Sequence, residues 1–186
     1  MDRASAIALC RERCLKETTV RHLISVEGVM RALAGRFGED QELWAMTGLF
    51  HDLDQDLTGD DAAGHAYMAA DWLREAEVDE RIVNGVLAHA HAQYRTDPMS
   101  RAVVNADAVA GLLVAAALVR PEKAVGMKVS SVKKKLKEKA FAPGVNRDEI
   151  TGVEEAIGLP LDEFLQVSIE GLQSVALEIG LAPEPD

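Results

Sequence analysis

Apolar residues recur along this chain at three- and four-residue intervals, the period of a helix that buries one face. Val20, Leu23, Ile24, Met30, Leu33, Ala34 and Phe37 form one such stripe; Gly38 stops it, and Thr18 or Thr19 offers a cap. The pattern predicts further helices over 42–53, 64–75 and 79–90. A turn at Asp97-Pro98 then opens a long apolar helix to Val119, closed by Arg120-Pro121. "SSVKKKLKEKAF" reads as a basic surface helix begun by a serine cap. "NRDEITGVEEAIGLP" opens with Asn146 and Glu149 three apart, as in a capping box, and stops at Gly158-Leu159-Pro160. A last helix covers 162–179, ahead of a tail, "APEPD", expected to fray. No run alternates with period two between turn signals, and the fold class expected is all-α.

Composition narrows what such a bundle does. With 186 residues, the chain is long enough for one domain with a sizeable core and short of two. Aromatics are 4%, so Ala, Leu and Val must build that core, which suits close helix packing. Lys+Arg 20 against Asp+Glu 31 leaves a formal charge of −11, which argues against duplex nucleic acid or an anionic membrane as partner. Cys10 and Cys14, four apart on a helix, read as small core residues, with no further Cys to complete a zinc pattern. The N-terminus has no signal-peptide pattern and the run 108–119 is short for a membrane span, so the expected location is cytoplasmic.

Chemistry concentrates in "MTGLFHDLDQDLTGD", where an apolar segment runs into His51-Asp52 and two more aspartates follow. A calcium loop fails, because its glycine and bidentate glutamate positions hold Leu57 and Ala63. The aspartyl nucleophile suggested by "DQDLT" needs a parallel strand that this chain does not offer. A metal site asks for more ligands, and all five histidines, His22, His51, His65, His89 and His91, lie in the first half. Neither His-Glu-x-x-His nor Glu-x-x-His occurs. What remains is His22, then His51-Asp52, then a distant aspartate. Asp107 fits, since an acid in the apolar helix "VVNADAVAGLL" is costly unless paired or metal-bound. Asp54 and Asp56 read as supporting or turn-capping carboxylates. Arg95, Arg101, Lys128 and Lys133 to Lys135 read as a solvated face, with an anion-binding role for any one of them as the lesser alternative, since an acidic protein must attract phosphate somewhere.

The order His22, His51-Asp52, Asp107 on successive helices resembles the HD-domain superfamily of metal-dependent phosphohydrolases. "RHLISVEGVMRALA" and "GLFHDLD" carry the likeness. "HDLD" with "GLLVAAALVRP" and "VSSVKKKLKEKAFAPGVNRDEI" is similar to a small bacterial HDLD-type subfamily of unassigned substrate. The resemblance implies an HD-domain-like helical bundle with additional C-terminal helices. The chain would be a single domain, 1–186, with a metal-binding core over 19–120 and an extension over 121–186 packed on it. It implies His22, His51, Asp52 and Asp107 as ligands of one or two divalent ions, among Mn, Fe, Co, Ni, Zn and Mg. Asp52, His65 and His89 are then the catalytic candidates, the two histidines filling a second metal site or holding phosphate. His89 is preferred to His91, which a continuing helix would aim elsewhere. The expected activity is hydrolysis of a small phosphoester, whether nucleotide, phosphomonoester or cyclic or dinucleotide phosphate. The alternative is a non-catalytic HD-fold module that binds a metal or nucleotide or docks a partner. One departure favours that alternative: the subfamily has Asp-Glu-Leu-Ser/Thr-Gly where this chain has "DAVAG", so Ala108 replaces an acid.

Overall fold

A computed structural model describes residues 1–59, 61 and 64–182, and among these every regular element is a helix. The tail expected to fray lies, past Ala182, outside the described residues. In chain order the helices are α1 (Arg3–Arg13), α2 (Glu17–Phe37), α3 (Gln41–Phe50), α4 (Gln55–Thr58), α5 (Tyr67–Glu75) and α6 (Glu80–Ala90). After a 3-10 turn at Ala92–Tyr94 come α7 (Pro98–Leu118), α8 (Val129–Lys137), α9 (Arg147–Thr151), α10 (Val153–Ile157) and α11 (Leu161–Val175). The fold is an all-α bundle, with α2 and α7 at its centre.

The apolar stripe of α2 is buried along its length, and Gly38, at φ 72°, closes the helix as its spacing predicted. Its start differs from expectation. Thr18 and Thr19 lie inside the helix, and the cap position is Lys16, which has no side-chain cap bond. Asp56 holds this entry from across the fold. Its carboxylate accepts from the backbone N–H of Leu15 (2.8 Å) and Lys16 (2.9 Å) and from the Thr19 hydroxyl (2.9 Å). The serine cap of α8 is likewise absent, since Lys128 occupies that position. The segment expected as one helix after Asn146 is two short ones meeting at Gly152. A reciprocal capping box occurs instead at Asp97 and Ser100, with Pro98 at the first helical position, and it starts α7.

Close crossings set how deeply the helices interlock. A Cβ on Gly48 would stand 2.8 Å from the Val26 carbonyl oxygen, so α3 presses directly on α2. Gly28 and Gly171 meet backbone to backbone, where a Cβ on Gly28 would lie 2.5 Å from the Gly171 oxygen. That contact seats α11 against α2. Around it, Glu27 is buried but not isolated. Arg3 reaches it through Nε (2.6 Å) and Nη2 (2.9 Å), and Arg31 adds a third approach at 3.3 Å.

Helix α7 is long and apolar enough by itself to cross a membrane, longer than the apolar run at 108–119 implied. It is the one such helix among the described residues, and 67% of its most apolar window is buried inside the bundle. Its length serves the core, and it brings Asp107 to the centre.

Gly28→Ala is expected to destabilise the fold by about 1–3 kcal/mol, because backbone carbonyl cannot yield as a side chain does. A thermal melt would show a fall of roughly 2–4 °C per kcal/mol. An unchanged midpoint would mean that α11 does not bear on α2 as closely as drawn.

Candidate metal centre

Six side chains from five segments converge at the middle of the bundle. His22 comes from the second turn of α2 and Asp107 from α7; His22 Nε2 lies 2.9 Å from Asp107 Oδ1. His51 ends α3 while still in helical conformation, so Asp52 follows at the mouth of the same turn. His89 enters from the last turn of α6. His65 comes from the turn before α5, since that helix starts at Tyr67 and not at 64. Ala66, at φ 67°, bends the chain there and frees His65 from the helix register.

His51 is fully buried, and its Nδ1 donates to the Gly48 carbonyl at 2.8 Å. That bond leaves Nε2 as the nitrogen that faces the cluster, 3.6 Å from both Asp52 Oδ2 and Asp107 Oδ1. The other oxygen of Asp52 is 3.1 Å from His65 Nε2 and 3.1 Å from His89 Nε2. His89 Nδ1 approaches Asp107 Oδ2 at 3.9 Å. All the residues assigned from sequence as ligands or catalytic groups are therefore brought together. His91 is not among them: its Nε2 lies 3.0 Å from the His65 carbonyl oxygen, and its ring packs on Tyr67.

Two side chains support the cluster: Asp54, read from sequence as a supporting or turn-capping carboxylate, and Arg95, whose role was not read there. Asp54, fully buried, places Oδ1 3.0 Å from His65 Nδ1, and its Oδ2 accepts from the Ala69 N–H at 3.1 Å. It therefore orients the His65 ring while anchoring α5, as outer carboxylates do around metal-binding imidazoles. Arg95, expected on a solvated face, donates from Nε to the Ala88 carbonyl (2.9 Å) and from Nη2 to that of His89 (3.1 Å). It ties down the end of α6 where His89 projects. Alternate-position acids in "DLDQD" were the only sequence trace of the first; nothing local marked the second.

The electrostatics are those of a cation site. Burial opposes charge on His51, yet Asp52 and Asp107 raise its pKa from 6.5 to about 9. Burial likewise opposes charge on His65, and Asp52 and Asp54 raise it to about 10. Burial works against the Asp52 and Asp107 carboxylates too, but the surrounding histidines hold both well below the usual range.

A divalent ion fits these residues. Buried His51 Nε2, Asp52 Oδ1 and His89 Nδ1 have no hydrogen-bond partner, despite their close neighbours. Orphaned buried polar atoms are costly and uncommon. Two sets, His22–His51–Asp107 and His51–Asp52–His89, each place their donor atoms within 4.8 Å of one another. Imidazole and carboxylate together suit borderline and hard divalent metals. Ala108, buried beside Asp107, brings no polar side-chain atom to the cluster.

Comparison with known proteins agrees with this geometry. The family described as HD domain matches residues 19–117, more than half of the chain. Ribonuclease Y 2 of Levilactobacillus brevis is 26% identical over 95 residues, covering 51% of this chain and 18% of that protein. Ribonuclease Y of Sulfurovum sp. is 28% identical over 90 residues, covering 48% and 18%. The match thus spans less than a fifth of the length of either curated relative. No solved structure matches.

The raised histidines give a signed pH dependence. A proton bound more tightly in the folded state stabilises it fully below pH 6.5, and that contribution is lost as pH rises through about 9 to 10. The melting temperature of chelator-treated protein should therefore fall across that window. Mn2+ should bind more tightly across the same window, because it displaces those protons, and at saturation it should abolish the fall. A flat melting profile without metal would contradict the charge pairing described.

Proposed function

Because the chain belongs to the HD domain family, we propose that it is a metal-dependent phosphohydrolase acting on a small phosphoester. The observation that supports this most directly is the convergence of unpartnered nitrogen and oxygen donors on one buried point. His22, His51, Asp52 and Asp107 would hold the first ion. Asp52, His89 and His65 border the position of a second. When bound, the metal supplies a water acidified towards neutrality and a Lewis acid for a phosphoryl oxygen.

The chain's own residues do the remainder. Asp52 sits between the two donor sets and orients whatever occupies the space between them. His65 and His89 each bring Nε2 to Asp52 Oδ1, a position from which they would donate to phosphate oxygens. Asp54 keeps His65 in that orientation and favours its protonated form. Arg95 fixes the backbone under His89. Residues 19–120 would act as the metal-binding core and 121–186 as an extension that builds one wall beside it.

The curated relatives are named ribonucleases, which brings a phosphodiester of RNA into consideration for this chain as well. A charge of −11 disfavours a long polyanion. A small phosphoester therefore remains the preferred substrate class, and a short oligoribonucleotide belongs on the test panel.

Protein purified without chelator should carry near-stoichiometric divalent metal by elemental analysis, and it should hydrolyse members of a phosphoester panel. Asp52→Ala should lose both the metal and the activity. Asp54→Asn should keep metal but lose roughly 10–100-fold in rate, the usual cost of removing an outer carboxylate from a metal-site histidine. Full activity in Asp52→Ala would overturn this site; a metal-loaded protein inert on the whole panel would point to a binding module.

A further inference from the structure

A cleft of about 720 Å³ opens between α7 and the pair α9–α10, and its lining includes none of the six clustered side chains. Its size suits a drug-sized or sugar-sized ligand. Arg95, Arg101 and Asn105 line one side, and Asp148, Glu149 and Glu155 line the other. The α9–α10 wall lies outside residues 19–117, so it is not part of the family match.

Asn105, which faces away from Asp107 at two residues' remove on the same helix, donates from Nδ2 to the Glu149 backbone carbonyl at 2.6 Å and locks α9 onto α7. Two further observations relate this cleft to the cluster. Arg95 spends Nε and Nη2 on carbonyls at the end of α6, so its Nη1 edge is the part left for the cleft. Burial raises the pKa of Glu149 and the nearby Asp107 raises it further, while Arg95 and His89 act in the opposite direction. Glu149 therefore stands within the electrostatic field of the cluster, opposite Arg95. Carboxylates dominate the far wall, and carboxylates accept hydrogen bonds. An alcohol seated there is recognised through its own O–H or N–H donors.

We propose that this cleft is the subsite for the leaving-group half of the substrate, with Glu149 as the residue that reads a hydroxyl or amino donor on it. The assignment rests on the phosphohydrolase reading for its orientation: phosphate at the histidines, alcohol in the cleft, Arg95 beside the bond between them. It names the substrate class as a phosphate ester of a polyhydroxylated or amino-bearing alcohol. It also gives the C-terminal helices a part in specificity.

Equilibrium binding to the Mn2+-loaded protein tests this with three probes: ribose 5-phosphate, phenyl phosphate and inorganic phosphate. Ribose 5-phosphate should bind tighter than the other two. Glu149→Ala should weaken it by roughly tenfold, the cost of one lost hydrogen bond to a charged acceptor. Binding of the other two, which bring no alcohol donors to the cleft, should stay within about twofold. Glu149→Gln, whose amide oxygen still accepts, should recover part of the loss. Both variants keep the backbone carbonyl that Asn105 holds, and an unchanged melting temperature would verify the fold. Equal weakening of all three probes, or no weakening of ribose 5-phosphate, would overturn the subsite. Selective binding without hydrolysis of any ester would instead defeat the phosphohydrolase reading and leave the subsite standing.

Discussion

Asp52 faces three imidazoles at once: His51 through one oxygen and His65 and His89 through the other. Placing that many polar rings around one partly buried carboxylate is expensive in a protein interior unless charge is balanced. Protons shared with His51 and His65 do so in the metal-free chain, and a divalent ion would do so more completely. The rest of the bundle is arranged to hold this node. Two central helices, α2 and α7, present His22 and Asp107 at 2.9 Å, and the end of α3 inserts His51 and Asp52 between them.

Holding it requires backbone to approach backbone. Gly48 lets α3 lie against α2 closely enough for His51 to meet His22, whose rings are 5.2 Å apart. Gly28 and Gly171 do the same for α2 and α11. A methyl group at Gly48 would separate two helices that the cluster needs within a few ångströms, and one at Gly28 or Gly171 would push α11 off α2. Cores packed to crystal-like density transmit such shifts instead of absorbing them. The polar supports follow the same economy. Asp54 clamps His65 and starts α5, and Asp56 holds the entry to α2, so two neighbouring acids each join distant parts of the chain.

The C-terminal helices α9 and α10 pack on α7, while the six clustered side chains all lie in the first 107 residues. Asn105 joins the two parts through a single short bond to the α9 backbone. The acid missing at Ala108 is not replaced at that position, since Ala108 packs into the core. The carboxylate that stands near the cluster on this side is Glu149, from a different helix.

Helical period and composition alone determined the all-α class, the stop at Gly38 and the course of α6 and α7, because burial of one face repeats every 3.6 residues and is written locally. The residues that cluster were legible for a related reason: histidines confined to the first half, and an aspartate in an apolar helix, are anomalies in a local pattern. Element starts were less legible. Lys16 precedes α2 because Asp56, forty residues on, bonds the chain there, and α5 begins late because Asp54 pulls the preceding turn inward. The roles of Arg95, Asn105 and Glu149 were closed to sequence altogether. Each works through a backbone carbonyl or a field reaching across helices, and only tertiary packing decides which carbonyl a side chain meets.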